Sequence, residues 1–288
     1  MNWKTIAAAA TQDTLDDLEQ TLWDAGAVSV TVEDGGENPL FEPGPGETPV
    51  WEQVVVTGLF EEDVDLVQVR DQLALHDFTF LFVDELGDRV WEREWLSRFE
   101  PMQFGSRLWV CPTGQDVPDR HAVVMHLDPG LAFGTGTHPT TRLCLEWLDQ
   151  NIKSGLTVVD YGCGSGILGI AALLLGAREV TGVDLDPQAL TATLSNAERN
   201  GVEDRLKVFL PGDAPRVAVD VLVANILARP LIDLAGYLQD LIVPGGAIAL
   251  SGIMESQKDW VADAYQSIDF QEARIEDGWV CLQGIKSE

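Results

Sequence analysis

The segment VVDYGCGSG, Val158 to Gly166, carries a short apolar run that ends in a carboxylate and three closely spaced glycines. The apolar ILGIAALLLGA that follows has the length of a helix, so the glycines stand at a strand-to-helix junction. Residues without Cβ there let backbone approach a ligand, and in open parallel sheets this junction is a binding site. The glycines fit two patterns. Gly162, Gly164 and Gly166 form GxGxG, whereas Gly164, Gly166 and Gly169 form the GxGxxG of a dinucleotide site. A turn that merely packs helix on strand has the same spacing, so spacing alone does not choose.

Charge favours one pattern. Asp160 ends the strand just ahead of the first glycine and would repel a pyrophosphate on the helix N-terminus. It suits a cationic ligand group, such as the ammonium and sulfonium of S-adenosylmethionine. The strand EVTGVDLD brings Asp184 to a position 20 residues past Gly164, where a carboxylate accepts hydrogen bonds from ribose hydroxyls. Asp186, before Pro187, is the expected N-cap of the helix PQALTATLSNAERNG. Asp213, after the strand RLKVFL, either borders the adenine or is a turn aspartate. VDVLVAN is a strand ending at Asn225, and ILARPLIDLAGYLQDLI is helical. AIALSGI, a helix from Ser256, DFQEARIED and WVCLQGI continue the alternation, with Gly278 allowing a hairpin between the last two strands. The expectation is an α/β, Rossmann-like, seven-stranded class I S-adenosylmethionine-dependent methyltransferase domain with an antiparallel edge.

With 288 residues, 45% of them hydrophobic, the chain can build two domains with real cores. No apolar run approaches the roughly 18 residues of a membrane span, and MNWKTIAAAA lacks the basic region of a signal peptide. A cytoplasmic protein without membrane contact is expected. Cys111, Cys144, Cys163 and Cys281 lie far apart with no CxxC pair, so free thiols and no metal are expected. The net charge of −29 disfavours direct binding to nucleic acid. Residues 1 to 100 hold 5 Lys or Arg against 23 Asp or Glu, net −18, which leaves −11 for the rest. Such a field steers a basic partner, although acidic surfaces also serve solubility or salt adaptation.

The N-terminal segments WKTIAAAA, TLDDLEQTLWDAGA, AVSVTVED, VWEQVVVTGLF, DVDLVQVRDQLAL and FTFLFVDEL read as βαββαβ. The glycine- and proline-rich stretch from Glu33 to Pro49 reads as a loop. This order predicts a smaller α+β ferredoxin-like domain over residues 1–86 ahead of the methyltransferase domain. Trp91, Trp95, Leu96 and Phe99 recur at helical spacing, so 87–104 is read as a connecting helix and linker, and 105–288 as the catalytic domain. RLWVCP and AVVMHLDPG are read as strands.

In LDPGLAFGTGTHPTTRLCLEWL, Gly130, Gly134 and Gly136 loosen the backbone while Thr137, His138 and Thr141 supply polar groups beside the helix TTRLCLEWLDQ. No lysine occurs between Pro112 and Lys153, so this is not a phosphate loop of the GK[ST] kind. His138 has no nearby nucleophile motif to serve as a base, and capping is the plainer role for the threonines.

LDPGLAFGTGTHPTT, VVDYGCGSGILGIAAL, GVDLDPQAL and VANILA together resemble the ribosomal protein methyltransferase A family, in order from FEPMQFGSRLWVCP to about Ser251. The first ninety residues match mainly in layout. The resemblance implies methylation of lysine ε-amines and the N-terminal α-amine of large-subunit ribosomal protein eleven. It implies S-adenosylmethionine as methyl donor without metal, and a ferredoxin-like domain that recognises the substrate. Carried over by motif, the donor residues are Thr141, Gly162, Asp184 and Asn225. Gly164, Gly166, Asp160 and Asp213, with Phe133 and Thr137 of the glycine loop, complete the candidate set, and Asn225 is also the candidate catalytic residue. A monomer is expected. An RNA or small-molecule methyltransferase, another protein substrate, and a donor-binding regulator without turnover remain alternatives.

Overall fold

The computed structural model describes residues 3–35, 53–75, 78–86, 100–127 and 138–288. The chain divides into two compact units, Met1–Glu92 and Arg93–Glu288. The connecting helix expected around Arg89–Phe99 and most of the Glu33–Pro49 loop lie outside the described residues, as does the stretch holding Gly130, Phe133, Gly134, Gly136 and Thr137.

In the first unit, β1 (Trp3–Thr11), α1 (Leu15–Asp24), β2 (Ser29–Asp34), β3 (Gln53–Glu61), α2 (Leu66–Leu75) and β4 (Thr79–Leu86) follow the expected order. The sheet runs β2-β3-β1-β4 with every neighbouring pair antiparallel, the arrangement of a ferredoxin-like split βαβ unit. Period-two alternation sends Ile6, Ala8, Ala10, Val54, Val56 and Phe60 to one face, where Leu18 and Leu22 of α1 and Val69 and Leu73 of α2 close the core.

The second unit begins with a small sheet of β5 (Met102–Phe104), β6 (Leu108–Cys111) and β7 (Val123–His126). Met102–Phe104, read from sequence as part of a linker, is thus a strand antiparallel to β6. Its tight turn is pinned from α3 (Pro139–Asn151) by Asp149, whose carboxylate accepts from Ser106 N–H (2.7 Å), Ser106 Oγ (3.0 Å) and Arg107 N–H (3.2 Å). The Arg107 guanidinium lies 3.3 Å from the same carboxylate and also donates to the Asp149 carbonyl.

Next come β8 (Thr157–Tyr161), α4 (Ile167–Leu174), β9 (Glu179–Val183), α5 (Pro187–Arg199), β10 (Leu206–Phe209) and β11 (Val219–Asn225). The chain closes with α6 (Ala228–Asp233), α7 (Ala235–Asp240), β12 (Ile242–Met254), α8 (Lys258–Ala264), β13 (Ile268–Phe270), β14 (Arg274–Glu276) and β15 (Trp279–Lys286). The large sheet runs β10-β9-β8-β11-β12-β15-β13, seven strands along its path, with β14 a short eighth strand on β15. Strands β8 to β12 pair in parallel, and β15 is antiparallel to β12, as the lack of a helix before it predicted.

Two details differ from the sequence reading. DFQEARIED, read as one strand, folds as β13 and β14, because the long β15 offers successive lengths of one edge and each short strand takes one. ILARPLIDLAGYLQDLI, read as one helical segment, forms α6 and α7 joined at Leu234, which lets Leu231 and Leu238 both bury. Alternation along β8 and β11 sends Val158, Val221 and Val223 toward α3 and α4, and Val159, Tyr161, Leu222 and Ala224 toward α6, α7 and α8. The sheet is therefore buried on both faces, as a parallel sheet requires.

Because Asp149 satisfies several backbone and side-chain donors in a buried position, its removal leaves those donors unpaired. Asp149→Ala should lower stability by about 3 kcal/mol, seen as a lower urea midpoint at unchanged m-value; an unaltered midpoint would show that the turn does not depend on it.

Candidate functional site

Three neighbouring parallel strands bring the candidate residues together. In register, Tyr161 of β8 stands between Val183 of β9 and Ala224 of β11. The next residues on these strands are Gly162, Asp184 and Asn225, so positions 22 and 63 residues from the first glycine lie in one row by strand pairing. The carboxyl ends of parallel strands are where open α/β sheets bind ligands.

The glycine turn adopts a backbone that residues with side chains avoid, with φ of 80°, 55° and 81° at Gly162, Gly164 and Gly166. Gly162 and Cys163 N–H both donate to the Val183 carbonyl (2.7 and 3.1 Å), which turns the chain away from the strand. Gly164 N–H donates to Asp184 Oδ2 (2.8 Å), and Asp186 N–H to Asp184 Oδ1 (3.0 Å). The Asp184 carboxylate is thereby aimed by backbone, and each oxygen keeps acceptor capacity for a ligand hydroxyl.

From the other side, α5 holds the turn's carbonyls. Thr193 Oγ1 donates to Gly164 O (3.0 Å) and Asn196 Nδ2 to Ser165 O (2.8 Å). Sequence reading missed both residues, although polar side chains three apart on the inward face of an amphipathic helix were a usable signal. Asp186 caps α5 by accepting from Gln188 N–H, with Pro187 at the first helical position, as expected.

Asp160 is 1% exposed. Its Oδ2 accepts from Gly169 N–H (2.8 Å), while its Oδ1 is buried with no hydrogen-bond partner. Burial raises the carboxyl to about 7, the Gly169 hydrogen bond opposes this, and the negative Asp184 adds to it. Burial, reinforced by Asp160, also pushes the Cys163 thiol up to about 12, so it is no nucleophile at neutral pH.

Asn225 Nδ2 donates to Thr141 Oγ1 (3.2 Å) across 84 residues of sequence. Thr141 sits in the first turn of α3 and is fully buried. The bond orients the Asn225 amide and leaves its carbonyl oxygen as an acceptor. His138 is the N-cap of α3: its Nδ1 accepts from Thr140 N–H (3.3 Å) and lies 2.8 Å from Thr140 Oγ1, and its ring packs edge-to-face on Trp279. Burial lowers its pKa. Asp213 is exposed on a turn closed by its N–H to Leu210 O (3.0 Å). Phe133 and Thr137 lie outside the described residues. Among the described residues no group of three or more His, Cys, Asp or Glu side chains could hold a metal ion, and no helix is long and apolar enough to cross a membrane.

A family model described as "Ribosomal protein L11 methyltransferase (PrmA)" matches residues 2–287. The chain belongs to this family. The "Ribosomal protein L11 methyltransferase" of Methylococcus capsulatus is 53% identical over 293 aligned residues, 99% of each chain. The protein of the same name from Shewanella sediminis is 48% identical over 99% of this chain and 100% of its own. Among solved structures, a "ribosomal protein L11 methylase" from Lactobacillus delbrueckii subsp. bulgaricus is 30% identical, with a TM-score of 0.61 over 66% of this chain and 100% of that one. Family membership therefore reaches across both units, including the first ninety residues, where motifs alone were weak.

The buried carboxyl of Asp160 carries a pH dependence of its own. The folded protein holds this proton to about pH 7, whereas the unfolded chain releases it near 3.8, so the group's contribution to stability falls as pH rises between these values. Asp160→Asn keeps an oxygen for Gly169 N–H and removes the titration. It should gain stability relative to the unsubstituted protein from pH 5 to pH 8 in paired urea titrations. A stability difference that does not change with pH would contradict the buried charge.

Proposed function

We propose that this protein transfers methyl groups from S-adenosylmethionine to lysine ε-amines and the N-terminal α-amine of ribosomal protein L11. The observation that carries this reading is the Thr141–Asn225 hydrogen bond beside a left-handed glycine turn, in a chain of the L11 methyltransferase family. The residues suit the donor. Gly162, Gly164 and Gly166 hold the turn in left-handed backbone, with no room for a Cβ against Ile226 at Gly162 or against Thr193 at Gly166, Asp184 presents oriented acceptors to ribose hydroxyls, and Asp160 Oδ1 is an unsatisfied acceptor for a cationic group. Thr141 and Asn225, with Phe133 and Thr137 of the glycine loop, complete the donor contacts, and Asp213 lies toward the adenine. Bound there, the donor supplies an electrophilic methyl on a sulfonium whose departure leaves a neutral thioether.

The chain's own work is to position the acceptor amine and to favour its uncharged form, the proton passing to water as the amine leaves solvent. A lysine amine with reference pKa near 10.4 is protonated at neutral pH and has no free lone pair. A desolvated site with neutral acceptors favours the uncharged amine, because burial penalises the ammonium and a carbonyl does not stabilise it as a carboxylate would. Asn225 Oδ1 is such an acceptor, with its amide held by Thr141.

Residues 1–86 select the substrate in this reading, since the first hundred residues carry −18 and would steer a basic protein. The enzyme acts as a monomer in the cytoplasm, on protein rather than nucleic acid. Incubation with labelled donor and separated ribosomal proteins and RNA should label L11 alone; label in RNA, or none in L11, would overturn the proposal.

Asp184→Ala should weaken donor binding more than tenfold by calorimetry, as expected when charge-assisted hydrogen bonds worth about 1.5 to 3 kcal/mol each are lost. Asn225→Ala should instead lower kcat about tenfold or more at saturating donor and protein. The assignments fall if the two effects are exchanged or absent. A chain lacking residues 1–86 should keep donor affinity and lose methylation of intact L11, and full activity of that chain would remove the first domain from recognition.

A further inference from the structure

Ile226, between Asn225 and the exposed Leu227, is held from two sides. A Cβ on Gly162, in the glycine turn, would collide with the Ile226 side chain at Cγ2. A Cβ on Gly252 would collide with the Ile226 carbonyl oxygen and lie 2.7 Å from its carbonyl carbon and 3.1 Å from its nitrogen. Both glycines are left-handed, with φ of 80° and 84°. Gly252 follows Ser251, the β12 residue paired with Asn225. Thus Ile226 meets the donor turn through its side chain and the neighbouring strand through its main chain.

We infer that Ile226 is a positioning residue whose β-branched side chain sets the spacing between the glycine turn and the Asn225 amide, and with it the room around the accepting amine. This rests on the roles proposed above for the turn and for Asn225. The physical reason is the steepness of transfer rates with geometry: a misplacement of about 1 Å can lower a rate a hundredfold. An amine also grows by one methyl at each cycle, so the room beside Asn225 decides how far methylation proceeds.

The β-branch makes the inference testable. Ile226→Val keeps Cγ2 and should retain turnover within about threefold. Ile226→Leu keeps the volume but moves the branch away from Cβ, and Ile226→Ala removes it. Both should lower kcat about tenfold at saturating donor and protein and alter the ratio of mono-, di- and trimethylated product read by mass spectrometry, with donor affinity nearly unchanged. The inference fails if the Leu variant keeps both kcat and product ratio, or if the Val variant loses as much as the Leu variant in parallel with its thermal midpoint, which marks simple packing. Should the Ala variant not fold, the Val and Leu pair still decides. Failure of the underlying reading looks different, because the unsubstituted enzyme would then methylate no amine or Asn225→Ala would turn over normally.

Discussion

At the carboxyl ends of β8, β11 and β12 the chain is packed so closely around Ile226 that two neighbouring positions have no room for a Cβ, one against its side chain and one against its main chain. Gly162 and Gly252 occupy those positions in left-handed conformations, and Ile226 fills the space their missing side chains leave. The rest of the site depends on this contact. It allows the glycine turn to bend back over Val183 and thereby meet Asp184, and it fixes the short connection that carries Asn225 into α6. A residue with a side chain at either glycine would strain the backbone and displace its neighbour together.

The electrostatic character of the site follows from the same geometry. A turn that packs tightly against the sheet excludes water from Asp160, which lies on the face covered by α4 and is left with one bonded and one unbonded oxygen. In such surroundings an isolated carboxylate is unfavourable, so the group is held near its neutral form until a cationic partner compensates it. Asp184, bonded by two backbone N–H groups and partly exposed, sits in different surroundings only one strand away. Two carboxylates a short distance apart thus suit different ligand groups. In the proposed reading one meets hydroxyls and the other a charge.

The scaffold supplies stiffness through polar contacts distant in sequence. Asp149 ties the β5–β6 turn to α3, and α3 also carries Thr141 to Asn225. Asn200, at the end of α5, accepts from His126 N–H and donates to His126 O, holding β7 beside the helix that clamps the glycine turn. Asp220 binds Thr157 through its N–H and Oγ, joining the starts of β8 and β11. The two strands are thus pinned at their starts, and slippage by one residue would turn Asp160 out of its pocket.

Much of this was legible in the chain because its causes are local. Left-handed glycines, the Asp186–Pro187 cap, the alternation of apolar strands with amphipathic helices and the Gly278 hairpin each depend on a few consecutive residues, and all stand where the sequence places them. Asp184 and Asn225 were legible too, since strand ends can be counted. What tertiary structure alone decided is what passes between segments. The sharing of the β15 edge by β13 and β14 depends on which strand lies beside which. So do His138 as a helix cap packed on Trp279, the grip of Thr193 and Asn196 on the turn, the Thr141–Asn225 bond and the wedge of Ile226. Propensity acts over one or two turns of chain, whereas hydrogen bonds and close packing act over a few ångströms of space, and only the packing of α3 against the parallel sheet brings residues 84 positions apart within that range.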